Sequence, residues 1–188
     1  PLYLFRERKP SIFERMNAKR ENVIKWARGL LKRRKIISFR FPNSNAMWIA
    51  IKDFPIYYNA VYRDFIIDEL GRRVIDYLKR VGKASTKDLL DKFKVGFSRL
   101  RLSLKILEQK QIICKSGFTE TDDYEDMVIW CLTEDFVPKK LRKDLNTLDQ
   151  KEALMILIGK YLKANGPTTS EEISNLTGHP KEFIEKIL

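Results

Sequence analysis

Apolar residues recur along this chain at helical spacing, interrupted by short β-branched and aromatic runs. In RENVIKWARGLLKRRK (20–35), Val23, Ile24, Ala27, Leu30 and Leu31 fall on one helix face. In GRRVIDYLKRVG (71–82), Val74, Ile75, Leu78 and Val81 do the same, and Gly82 supplies a stop. Ser85 or Thr86 can cap a following helix, KDLLDKF, with Leu89, Leu90 and Phe93 inward. A turn at Gly96 leads into FSRLRLSLKILEQK, where Phe97, Leu100, Leu104 and Leu107 form an apolar stripe. A hairpin is expected over 111–136. Three helices followed by a hairpin describe a winged helix, a relative of the helix-turn-helix.

The order then repeats. Residues 32–55 and 108–138 each leave a charged helix end through paired isoleucines (Ile36-Ile37, Ile112-Ile113). Each returns through a tryptophan-bearing strand (Trp48, Trp130) and closes on an acidic residue, Phe and Pro. The offset is 76 from Leu31 to Leu107 and 82 between the tryptophans. Tyr77, Leu78, Lys79 and Gly82 match Tyr161, Leu162, Lys163 and Gly166 at an offset of 84, and KIL at 105–107 recurs at 186–188. Repeats of this kind point to an array of similar units. The expected fold is mainly α with small β-hairpin wings, an α+β tandem winged helix-turn-helix array. Residues 1–62 supply a recognition helix and wing, 63–148 a complete unit, and 149–188 three helices without a wing. The joining stretches 56–68 and 138–150 are poor in Gly and Ser. The first carries Tyr57, Tyr58, Tyr62 and Phe65, so fixed packing between units is expected.

Composition narrows the class. The 188 residues are 44% hydrophobic and 33% charged, which suits globular domains. No apolar run is long enough to span a bilayer, and no signal peptide is visible, so a cytoplasmic protein is expected, nucleoid-associated in a prokaryote. The opening at Pro1 and the ending within KEFIEKIL read as a piece of a longer protein, with other domains of the parent chain as partners. Cys114 and Cys131 lack CxxC spacing and fall on the two strands of one expected hairpin. They read as half-buried thiols in a reducing compartment, with a disulfide the lesser alternative.

The net charge of +12 is uneven. Residues 1–62 hold 14 Lys/Arg against 4 Asp/Glu, 63–148 hold 18 against 15, and 149–188 hold 5 against 6. Basic charge gathered in one third points to a polyanion. In the first unit, Lys25, Arg28 and Lys32 recur at three- and four-residue spacing and so share a helix face. With Arg33 they can pair with phosphates along a groove. Arg40 and Asn43, Ser44 and Asn45 can add contacts from the wing. In the second unit Arg99, Arg101 and Lys105 form a second row, with Ser98 and Ser103. The acidic wing tip, Glu120, Asp122, Asp123, Glu125 and Asp126, repels phosphate and suits a basic protein partner. Lys19, Arg20, Arg34 and Lys35 add to the first helix's charge. The third unit, with Glu171, Glu172, Glu182 and Glu185, reads as structural or as a protein interface.

Catalytic signatures are scarce. There is no GxxxxGK[ST] and no GxGxxG after a strand. The single His179, in TGHPKEF, reads as a solvated turn residue, and no spacing suits a metal. No cofactor, metal site or catalytic residue is expected.

The run DELGRRVIDYLKRVGKASTKDLLDKFKV, the strand QIICKSG and the strand VIWCL resemble the winged-helix modules of the large helicase-related (Lhr) superfamily 2 helicases. They also resemble the winged-helix DNA glycosylases that remove alkylated or crosslinked bases. WIAIKDFPIYYNAVYRDF resembles the connector between such modules, so the likeness covers residues 46–145. It implies a DNA-binding accessory region, with any ATPase motor elsewhere in the parent chain. The glycosylases use a glutamine pair flanking an apolar residue; Gln109-Lys110-Gln111 departs from this with a charged centre at a helix end. The expectation is therefore a segment that is not itself an enzyme. It would bind duplex or junction DNA within a helicase, repair factor or transcription regulator. The alternative is a protein-interaction scaffold in a transcription or chromosome-organising complex.

Overall fold

The computed structural model describes residues 20–42, 46–119 and 128–188. Helix α1 (Arg20–Lys32) leads into strands β1 (Ile36–Arg40) and β2 (Ala46–Ala50), a 3-10 turn over Ile51–Asp53 and helix α2 (Phe54–Ala60). Helix α3 (Glu69–Val81), strand β3 (Lys83–Ser85), helices α4 (Thr86–Phe93) and α5 (Phe97–Gln109), and strands β4 (Ile113–Phe118) and β5 (Val128–Leu132) follow. Helices α6 (Thr133–Phe136), α7 (Lys139–Thr147), α8 (Gln150–Asn165), α9 (Ser170–Thr177) and α10 (Lys181–Glu185) complete the chain. The fold is mainly helical with small antiparallel sheets, α+β and of winged-helix type.

The middle stretch shows why these residues fold so. Asp68 caps α3 by accepting from the Gly71 N–H at 2.8 Å, and its other oxygen accepts from the Ser103 hydroxyl of α5, also at 2.8 Å. One carboxylate thus ends one helix and pins another to it. A side chain at position 71 would meet Asp68 Oδ1 and Ile67 Cγ2, each at 2.9 Å, so the close approach requires glycine. Ser85 and Asp88 form a reciprocal capping box at the start of α4, satisfying two orphan N–H groups. Strand β3 was not anticipated. Its three residues join the hairpin in the order β3-β5-β4, pairing Ala84 with Trp130. The Trp130 indole N–H reaches the buried Thr86 hydroxyl at 3.0 Å.

The two helix-to-strand turns are built alike. After α1, the Arg34 N–H donates to Leu31 O and the Lys35 N–H to Leu30 O; after α5, the Gln111 N–H donates to Glu108 O and the Ile112 N–H to Leu107 O. Arg34 and Gln111 both take left-handed backbone, at φ 50° and 57°. The strands close alike as well, through the Ile51 N–H to Lys35 O and the Thr133 N–H to Ile112 O. These bonds align the turns at an offset of 77, one more than the leucines suggested. Gly82 and Gly166 end α3 and α8 with φ of 77° and 80°. Ser85 and Thr169 cap the helices that follow.

The stretch read as the first joining segment is structural. Helix α2 packs on α8 and α7. Phe54 is fully buried and rings with Phe39 and Tyr58, while Phe39 also meets Phe41 and Tyr57 edge-on at 5.1 and 5.4 Å. The exposed Lys160–Asp53 pair at 3.1 Å adds little to this burial. Cys114 and Cys131 face each other in register as buried free thiols, their sulfurs 3.8 Å apart in a thiol–thiol hydrogen bond with no disulfide. Both are more deeply buried than the sequence suggested.

His179 corrects a second expectation. It is 4% exposed, stacks on Phe183 at 4.9 Å, and its Nε2 lies 3.0 Å from Ala60 O. A neighbouring backbone bond runs from the Tyr62 N–H to Thr177 O at 3.0 Å. The turn joining α9 to α10 therefore docks on the end of α2 instead of facing water. Burial holds the His179 pKa below its ordinary 6.5, with the Ala60 bond opposing. The stability this gives is complete above pH 6.5 and is lost as pH falls through the lower folded value. Urea unfolding of the protein and of His179→Gln, compared at pH 7.5 and 5.5, should show a steeper acid loss for the native chain. Equal losses would count against a docked, neutral His179.

Candidate nucleic-acid interface

A winged helix presents its third helix to a nucleic-acid groove, which makes α5 the first surface to consider. Gly96, in extended conformation, starts it without a side-chain cap. Leu100, Leu104 and Leu107 face the core, and Ser103 is consumed by Asp68. Ser98, Arg99, Arg101, Leu102 and Lys105 are exposed. The row read as Arg99, Arg101 and Lys105 thus lies outward on one helix.

Helix α1 divides its cations. Lys25, Lys32 and Arg33 are exposed, but Arg28 is half-buried and its Nη2 donates to Thr119 O at 2.7 Å. The shared face expected for Lys25, Arg28 and Lys32 is therefore split, because α1 packs on β4 and Arg28 crosses to that strand's end.

Arg40 also turns inward. Its Nε meets Glu108 Oε2 at 2.8 Å, and Lys115 Nζ lies 3.5 Å from Oε1 of the same carboxylate. Glu108 is 1% exposed, and a buried carboxylate without such partners would cost several kcal/mol, on the order of the ion's desolvation penalty. β1 and β4 pack together, and the Lys115 N–H on β4 donates to the buried Ser38 hydroxyl at 2.9 Å. The edge of one sheet is thereby covered by the neighbouring hairpin. Glu108 was missed in the sequence. Its signal is positional: it falls four residues beyond Leu104 and eight beyond Leu100, on the apolar stripe itself.

The Gln109-Lys110-Gln111 turn belongs to the same contact. Gln109 Nε2 donates to Pro42 O of the first hairpin, Lys110 Nζ to Arg63 O at 3.0 Å, and Gln111 Nε2 to Glu108 O at 2.7 Å. Both glutamines are buried; Gln109 ties the turn to the first hairpin, while Gln111 bonds within the turn and its Oε1 has no hydrogen-bond partner among the described residues. Arg63 lies over the Tyr58 ring at 4.1 Å and extends this seam.

The wing-tip residues Asn43, Ser44 and Asn45, and the acidic Glu120, Asp122, Asp123, Glu125 and Asp126, lie outside the described residues, as do 1–16 and Lys19. Among the described residues no group of three His, Cys, Asp or Glu could hold a metal. None of their helices is long and apolar enough to cross a membrane.

No protein-family model and no curated protein matches the chain. Among solved structures, the Streptomyces sahachiroi DNA glycosylase AlkZ matches with a TM-score of 0.57 at 15% identity, over 90% of this chain and 50% of that one. The chain spans about half the length of that structure, and what the two share is the fold. This corrects the expectation of a segment that is not an enzyme. That reading rested on the scarcity of familiar catalytic motifs, yet the fold adopted over nine-tenths of the chain is one that a DNA glycosylase also uses.

Proposed function

We propose that this chain binds duplex or junction DNA in a repair setting, as a tandem winged-helix region of a larger protein. Its units would be residues 1–62, 63–148 and 149–188. The paired turns at Arg34 and Gln111 and the matched stops at Gly82 and Gly166 support the repeat. The observation that carries the DNA reading is the outward row Arg99, Arg101 and Lys105 on the third helix of the middle unit. Lys25, Lys32 and Arg33 add an exposed basic surface on α1 and the turn after it, while Arg28 ties α1 to the end of β4 and Arg40 ties β1 to the end of α5. The shared fold with a DNA-acting enzyme is in keeping with this, as is the resemblance to helicase winged-helix modules. A protein scaffold is the second reading, and the inward commitment of Arg28 and Arg40 favours it, because it thins the basic surface.

Fluorescence anisotropy with labelled duplex and forked DNA, from about 50 to 200 mM salt, tests the proposal. A log–log slope of about −4 to −5 is expected if about five phosphates are neutralised. Arg99→Glu with Lys105→Glu should weaken binding at least tenfold and flatten the slope. Lys181→Glu with Lys186→Glu on the third unit should change it little. Equal losses from both pairs would remove α5 as the contact, and no binding at low salt would favour the scaffold.

A further inference from the structure

We propose that Leu102 is a sequence-reading residue of this DNA site, making apolar contact with thymine methyl groups in the major groove. The inference rests on the DNA reading above. Leu102 is 60% exposed, whereas Leu100, Leu104 and Leu107 on the same helix are 0%, 3% and 0% exposed. Single exposed leucines are ordinary on protein surfaces, so exposure is not the point. The placement is. On an α-helix the residues three and four away share a face, which puts Ser98 and Arg99 one turn before Leu102 and Lys105 one turn after it. Arg101 is also exposed beside it.

Cations above and below an apolar centre match the cross-section of a major groove. Phosphates line its edges, and its floor offers hydrogen-bonding groups and one apolar group, the C5 methyl of thymine. A leucine can neither donate nor accept, so the methyl is what it can distinguish. The nearest carboxylate on α5, Glu108, is buried against Arg40 and Lys115 and does not oppose the approach of a polyanion.

The test compares an A·T-rich duplex with the same duplex carrying uracil for thymine, which removes only the methyl groups. Both are bound by the whole chain and by Leu102→Ala, whose exposed position and good helix propensity keep the fold. The native chain should bind the thymine duplex about fourfold more tightly for each methyl covered, taking the usual value of a buried methyl-sized group. Leu102→Ala should bind both duplexes equally while keeping its salt dependence. Equal binding of both duplexes by the native chain overturns the inference, and so does discrimination that survives in Leu102→Ala. Binding of neither duplex defeats the DNA reading itself, and this inference with it.

Discussion

Arg40→Ala should destabilise the protein by about 3–5 kcal/mol, the usual cost of leaving a buried charge without its main partner. Among the described residues Glu108 would keep only Lys115, at 3.5 Å, for a carboxylate that is 1% exposed. For a chain of this size, each kcal/mol moves the melting temperature by about 2–4 °C, so a drop of roughly 6–20 °C should be seen calorimetrically. Adding Glu108→Gln to the variant removes the stranded charge and should recover part of the loss. A change under about 1 kcal/mol would place the pair with exposed ion pairs, which contribute little. The same variant separates two roles for Arg40. A residue that holds hairpins together loses stability when truncated, whereas a phosphate contact loses affinity and salt slope but leaves melting unchanged.

Phe39→Ala should cost a comparable amount, about 3–5 kcal/mol, through lost burial and the cavity left behind. Phe39 is fully buried and makes edge contacts with Phe41, Phe54 and Tyr57. Because Phe54 and Tyr57 belong to α2, the substitution should loosen the first hairpin and the α2–α8 contact together. Chemical denaturation should keep a single transition at lower denaturant. A loss below about 1.5 kcal/mol, the range of a tolerated core exchange, would mean that the cluster repacks around the gap.

Much of this fold was legible because its determinants are local. Gly82 stops α3, Ser85 caps α4, and the leucines of α5 repeat at helical intervals, so each could be read from within about a dozen residues. The hairpins were found because Ile36-Ile37 and Ile112-Ile113 recur with their tryptophans. What was hidden depends on partners far along the chain. Arg40 meets Glu108 across 68 residues and Arg28 meets Thr119 across 91, and nothing near either arginine separates it from the solvent-facing Lys32. His179 was read as wetted because a turn usually is; its partner, Ala60, lies 119 residues away. Strand β3 has only three residues and no alternation of its own, so its place in the sheet is fixed by β5. Of the basic residues proposed to meet DNA, those on α5 all lie outward, while α1 and β1 each yield one to packing.

The seating of α2 on α8 has a consequence for the order of folding. The bond from Tyr62 to Thr177 and the contact of His179 with Ala60 O join residues more than a hundred positions apart. Contacts of such long sequence separation carry a loop-closure cost that is met before they form, and they slow folding. During synthesis α2 leaves the ribosome well before its partner does, so the side of α2 that packs on α8 stays uncovered until residues 150–165 emerge. Helices α3 to α5 and the sheet that follows, closed by the local caps of α3 and α4, can form first and hold the two ends in position to meet.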